Sequence, residues 1–250
     1  MLNDQVLPLN SPPVPKLNWR DIFSAVVFCG AGSVIVLLAM RFVINVLGIT
    51  VDPDSESMGS PAAFISGASI YLLLILGVYV FGVRKVGWRA MGFSGTEIGN
   101  YLLVFPLFAL GMIGLLVANL SMGQLNGGEF VNPQVEAVAG NGNLGPQQLV
   151  LMFILIAVLA PIAEEIFFRG MLYPLLRERF GMVAGVVSNA LIFALIHFIP
   201  ILIPGLFIVG LCITYLRERS GSIWPSVLYH MLQNSLGLIA IVVAIQSGAV

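Results

Sequence analysis

Seven stretches of this 250-residue sequence are long and apolar enough to be read as membrane-crossing helices: roughly 22–49, 62–83, 98–121, 147–176, 182–198, 200–216 and 222–246. One crossing takes about 20 mainly apolar residues. The fourth run is too long for one simple crossing at about 1.5 Å rise per residue, and Pro161 and Pro174 are its expected break points. Seven or eight spans therefore follow, in an all-α, polytopic transmembrane helical bundle. Composition agrees: 58% of residues are hydrophobic and 9% charged. A soluble domain carries about 25% charged residues and could not cover its surface with so few. The sequence divides into a polar, proline-bearing tail, 1–21, and one membrane domain, 22–250, with no internal repeat.

Loop charges suggest the orientation. Lys16, Arg20, Arg84, Lys85, Arg89, Arg177, Arg179, Arg217 and Arg219 fall on one side if the seven runs alternate. The opposite loops, 50–61 and 122–146, hold Asp52, Asp54, Glu56, Glu129 and Glu136 and no Lys or Arg. Positive loops face the cytoplasm, so the N-terminus is expected there. The Gly- and Asn-rich 122–146 segment reads as a connector, with a lid as the less favoured alternative. Arg41, inside the first run, is expected to snorkel to an interface. A net charge of −1 gives no reason to expect nucleic acid as a partner. Cys29 and Cys212 lie in apolar runs without ligand spacing and read as small buried hydrophobes.

Ionisable residues inside spans cost about 2.5–3.5 kcal/mol each at a helix centre and persist where they face a cavity or a partner. Here they form three short motifs. Glu164, Glu165 and Arg169 lie in the fourth run, His197 in the fifth, and His230 and Asn234 in the seventh. Glu165 and Arg169 are four apart and share a helix face, so they are expected to pair. Glu164 points about 100° away and is left as the chemically active carboxylate. A purely structural network of all three is the plainer alternative. His230 and Asn234 are also four apart, one able to exchange a proton near neutrality, the other to hydrogen-bond an oxyanion. Taken alone, that pair would more often be structural.

Glu164 and His197 are equally distant from a turn near Phe180 and Gly181. An antiparallel hairpin about that turn brings them to one depth, with Phe193 beside His197. His230 follows Gly221 by only nine residues. It reaches the same depth only if the 176–181 turn projects about 10 Å farther than the 217–221 turn, at 1.5 Å per residue. Ser188 and Ser235 lack the setting of a nucleophile.

The order Glu164-Glu165-x-x-x-Arg169, Phe193-x-x-x-His197 and His230-x-x-x-Asn234 resembles the CPBP family of intramembrane endopeptidases, which process CAAX proteins and bacteriocins and are also called the Abi family. The likeness covers about 147–240; the first 120 residues share only the multispan character. It implies hydrolysis of peptide bonds in a membrane-associated or lipidated substrate, with membrane lipids and that peptide as partners. Two schemes fit the residues. In one, without a cofactor, Glu164 and His197 activate water while His230 and Asn234 stabilise the oxyanion, and Glu165, Arg169 and Phe193 support the site. In the other, Glu164, His197 and His230 bind zinc as two histidines and a carboxylate with an open position. The metal-free scheme is slightly favoured, since no H-E-x-x-H helix is present. A non-catalytic scaffold or bacteriocin-immunity protein, and a small proton-coupled transporter, are the competing classes.

Overall fold

The first helix, α1 (Trp19–Val46), begins three residues before the apolar run that announces it. Asn18 caps it, accepting the backbone N–H groups of Arg20 and Asp21, while the Asp21 carboxylate accepts the Asn18 N–H at 2.8 Å. This capping box satisfies N–H groups that have no intrahelical partner, and it is polar, so hydropathy alone misses it. The structure is a computed structural model that describes residues 16–48, 60–128, 130, 132–139 and 144–247. Most of the expected N-terminal tail, and Asp52, Asp54, Glu56 and Glu129, lie outside the described residues, as does the side chain of Glu136.

Ser60 caps α2 (Pro61–Val86), and α3 (Ile98–Leu125) follows. The segment expected to be a plain connector contains a short helix, α4 (Pro133–Ala139). Pro146–Leu195 then runs for 50 residues, too long for a single crossing. It turns at Gly181, whose φ of 79° and ψ of 178° suit a residue without Cβ. The two arms, α5 (146–180) and α6 (182–195), are antiparallel: Asn189 Nδ2 donates to the Phe168 carbonyl at 3.0 Å, and the rings of Phe168 and Phe193 lie 5.4 Å apart. The hairpin closes tightly because a Cβ on Gly185 would stand 3.0 Å from the Arg177 Cα. The last helices are α7 (Pro200–Ser220) and α8 (Trp224–Gln246). Six apolar segments thus give seven long helices among the described residues, plus α4, and Trp19 and Gln246 lie at opposite faces.

Pro161 and Pro174 do not split α5 into two spans. Each follows a widened π-helical stretch, Phe153–Leu159 and Ile166–Leu172. Ala160 N–H bonds to the Leu155 carbonyl, and Tyr173 N–H to that of Phe168, each reaching back five residues. The wider turn relieves the clash of a proline ring with the carbonyl four residues earlier. The carbonyl five residues before each proline faces a missing N–H, and a side chain from another helix takes it. Asn234 Nδ2 donates to Ile156 O at 2.9 Å, and Arg217 Nε donates to Arg169 O at 3.0 Å.

At one end of the bundle, polar side chains knit the turns together. Lys16 pairs with Glu178 and Lys85 with Asp21, each at 2.7 Å. Glu218 takes two N–H groups of Arg177, at 2.6 and 2.8 Å, and the Tyr173 hydroxyl at 2.6 Å. Glu218 therefore stands level with residues 173–177, and the hairpin turn at Gly181 projects about 10 Å beyond it at 1.5 Å per residue. Gly221 lies three residues past Glu218, about 4.5 Å, so the Gly181 turn projects about 5 Å farther than the Gly221 turn, in the direction that the depths of Glu164 and His230 require. A row of aromatic rings, Tyr79, Trp88, Phe93 and Trp224, lies beside this end with centroids 4.5–6.0 Å apart. Arg41 is exposed, about 33 Å along α1 from Trp19.

The outer surface is apolar. On α1, Phe23, Ile35, Leu38 and Phe42 are each more than 60% exposed, a surface that lipid solvates and water does not. The chain is an integral, multi-pass membrane protein.

Candidate active site

The 3.6-residue period puts Glu165 and Arg169 on the inner face of α5, and packing removes both from solvent: each side chain is 0% exposed. Arg169 Nη1 donates to Glu165 Oε1 at 2.8 Å, and Nη2 to the Gly210 carbonyl at 3.4 Å. Gly210 permits this close approach, because a Cβ there would stand 3.0 Å from the Ala190 Cα. The guanidinium carbon lies 4.6 Å from the centroid of Phe193 and 5.7 Å from that of Phe168, so cation–π attraction supplements the ion pair.

Glu165 Oε1 also accepts from His230 Nδ1 at 2.8 Å. A carboxylate can only accept, so Nδ1 carries the hydrogen, and Nε2 of His230 faces Glu164 Oε2 at 3.9 Å. His197 is fixed in the same sense. Its Nδ1 lies 2.8 Å from the Phe193 carbonyl, which again requires Nδ1–H and frees Nε2. The Phe193 ring touches both imidazoles, with centroids 5.0 Å from His197 and 5.5 Å from His230. One ring thus fixes the places of Arg169 and both histidines.

His197 lies just beyond the end of α6, not within it. The helix stops at Leu195, and Phe198 adopts a φ of 54° before Pro200 starts a short 3-10 turn. An α6 of 14 residues rises about 21 Å, less than the roughly 30 Å hydrocarbon core. Irregular backbone at such depth is tolerated where it is covered by protein or lines a wet cavity.

Such a cavity is present. It holds about 430 Å³, and Glu164, His197, His230 and Asn234 all line it. Glu164 Oε2 is buried there without a hydrogen-bond partner, and its side chain is 14% exposed. Asn234 spends one N–H on Ile156 and retains a second. The structure thus brings the four expected catalytic residues to one chamber and sets Glu165, Arg169 and Phe193 behind them. Sequence reasoning misses the other walls: Tyr71 from α2, Asn119 from α3, Gln233 from α8, and Asn132, Gln134 and Val138 from the α4 region. The segment expected to be a plain connector therefore roofs the chamber.

Zinc does not suit this geometry. Glu164 and His230 approach each other, but no three His, Cys, Asp or Glu side chains converge closely enough to share one ion among the described residues. As arranged, the described residues do not form a three-ligand site for the metal.

Helices of a multi-pass membrane protein thus close on a buried carboxylate, two oriented histidines and a polar chamber. Residues 146–236 match the family model described as type II CAAX prenyl endopeptidase Rce1-like. The match spans well under half of the chain, and this segment is similar to the CAAX-processing membrane proteases. An uncharacterised 24.3 kDa protein of Escherichia coli is 35% identical over 96 residues, covering 36% of this chain and 44% of that protein. No solved structure matches.

Proposed function

We propose that this protein is an intramembrane endopeptidase in which Glu164 and His197 activate a water molecule, without a metal, to cleave a membrane-associated or lipidated peptide. The observation that carries this reading is the buried, unpartnered Glu164 Oε2 in a chamber shared with His197 and His230. A carboxylate held this way lacks the hydrogen bonds that would quench it as a base.

In the reaction, water bound by Glu164 and by His197 Nε2 loses a proton to Glu164 as its oxygen attacks the peptide carbonyl. Negative charge moves to the carbonyl oxygen. His230 Nε2, when it carries a proton, and the free N–H of Asn234 donate to that oxygen. The C–N bond then breaks, and the proton held by Glu164 passes to the departing amine. Glu165 and Arg169 serve indirectly: Glu165 holds the His230 ring in the orientation that presents Nε2. With both ring nitrogens of His230 protonated, the group of Glu164, Glu165, Arg169 and His230 is formally neutral, which suits a buried site.

The test is cleavage of a fluorogenic, membrane-anchored peptide by purified protein in detergent. Glu164→Gln and His197→Ala are each expected to lower kcat by about 10²–10⁴-fold, the usual worth of general base catalysis, while folding persists. Wild-type rates in either variant refute the assignment. Activity that disappears on chelation and returns only with zinc refutes the metal-free step.

A further inference from the structure

Two side-chain amides in the chamber have no assigned work. Asn119 Oδ1 and Gln233 Oε1 are buried without a hydrogen-bond partner, and both residues line the same cavity as Glu164. Burying a carbonyl oxygen unpaired is costly, and here it is done twice on walls that face one space. Each amide oxygen accepts two hydrogen bonds, so what these positions lack is an N–H donor.

We infer that Asn119 and Gln233 form a substrate-backbone subsite, accepting the N–H groups of an extended peptide laid across the chamber. The inference rests on the protease reading and adds the part of the substrate it holds. An extended chain brought out of water carries unpaired N–H and C=O groups, and each needs a partner at membrane depth. Asn234, beside Gln233, already has one N–H committed to Ile156, so it serves the reacting carbonyl, and the two free oxygens serve the flanking N–H groups.

The spacing agrees with the ligand. On α7, Ile208 packs against Gly114 of α3 and the Ile213 carbonyl accepts from Ser226 Oγ of α8, which sets Gly111 and Tyr229 near a common level of α3 and α8. The two helices run in the same direction, because each is antiparallel to α7 between them. Asn119 lies eight residues beyond Gly111, and Gln233 four beyond Tyr229. At 1.5 Å per residue, Asn119 stands about 6 Å beyond Gln233 along the bundle. Alternate N–H groups on one edge of an extended peptide are about 6.6 Å apart. Asn119 also closes this wall tightly, since a Cβ on Gly205 would come within 3.4 Å of its Oδ1. The subsite recognises main chain, not side chain, so it holds any extended segment and leaves sequence preference to the apolar walls.

The experiment compares a cleavable peptide with versions N-methylated at single positions on either side of the scissile bond, for wild type, Asn119→Leu and Gln233→Leu. Leucine keeps a similar volume and removes the acceptor. Wild type is expected to lose about tenfold in kcat/KM, the upper range for one hydrogen bond, at two N-methyl positions two residues apart. Asn119→Leu is expected to lose about tenfold on the parent peptide, mainly through KM, and to become indifferent to N-methylation at one of those positions. Gln233→Leu does the same at the other. If wild type cleaves the parent peptide but N-methylation has no positional effect, or both variants keep the wild-type pattern, the subsite is overturned while the protease reading stands. If wild type cleaves nothing, the protease reading itself fails. Unfolding of each variant in detergent is followed in parallel, and the N-methyl pattern separates lost recognition from lost structure.

Discussion

Replacing Arg169 by methionine tests the physical core of the site. The guanidinium is fully buried, 2.8 Å from Glu165 Oε1 and 4.6 Å from the centre of the Phe193 ring. Methionine fills most of the volume, so the main loss is charge. Glu165, also fully buried, already has one oxygen without a partner. In the variant its carboxylate keeps His230 Nδ1 as its one partner among the described residues. Breaking a buried ion pair from one side costs about 3–5 kcal/mol, because an uncompensated charge stays inside. Removing both charges should restore most of that, so Glu165→Gln with Arg169→Met is expected within about 2 kcal/mol of wild type. The assay is reversible unfolding in mixed detergent micelles, with the four proteins forming a double-mutant cycle. The double variant should refold without regaining full activity, since a neutral amide at position 165 holds the His230 ring more weakly than a carboxylate. An Arg169→Met protein within about 1 kcal/mol of wild type, or a double variant that is worse than Arg169→Met, would refute this account of the buried network.

Other outcomes follow from single contacts. Asn234→Leu leaves the Ile156 carbonyl unpaired and is expected to cost about 1–3 kcal/mol. Pro161→Ala supplies an N–H at that turn, so the combination should cost less than the sum, and strict additivity in unfolding experiments counts against the shared carbonyl. Phe193→Leu removes the ring that touches Arg169, His197 and His230. It is expected to lose about 1–2 kcal/mol of cation–π stabilisation and to slow peptide cleavage more than it weakens peptide binding, measured as kcat against KM. Gly210→Val drives side-chain carbons into the Ala190 backbone and should destabilise by about 1–3 kcal/mol, visible as a lower unfolding midpoint. Dialysis against a chelator is expected to leave both zinc-free protein and full cleavage, checked by metal analysis of the same sample.

Much of the site is legible in spacing. The equal distances of Glu164 and His197 from the turn at Phe180 and Gly181 anticipate their shared chamber, because a helical hairpin converts sequence symmetry into equal height. The four-residue interval anticipates the Glu165–Arg169 pair for the same geometric reason. The height of His230 is harder to read, since it depends on how far the Gly181 turn projects. That projection is set by Glu218 holding Tyr173 and Arg177, a contact between residues more than 40 positions apart. The work of Asn234 and Arg217 is hidden more deeply. Each answers a carbonyl exposed by a proline on another helix, and no hydropathy pattern records an absent N–H. Tyr71, Asn119 and Gln233 escape notice because an isolated polar residue in an apolar run says little until its facing direction is known. The first helix starts earlier, and the 122–146 segment holds more structure, than hydropathy indicates for one reason: short polar elements are defined by hydrogen bonds rather than by hydrophobicity.

The brevity of α6 carries a consequence for the lipid around it. A helix about 21 Å long does not by itself match a hydrocarbon layer about 30 Å thick, a mismatch that bilayers relieve by thinning locally. Molecules anchored in the lipid there would then meet the protein where the membrane is thinnest. Water needs to travel only part of the way down, and a peptide in the lipid could slide sideways into the polar chamber without any pore opening across the membrane.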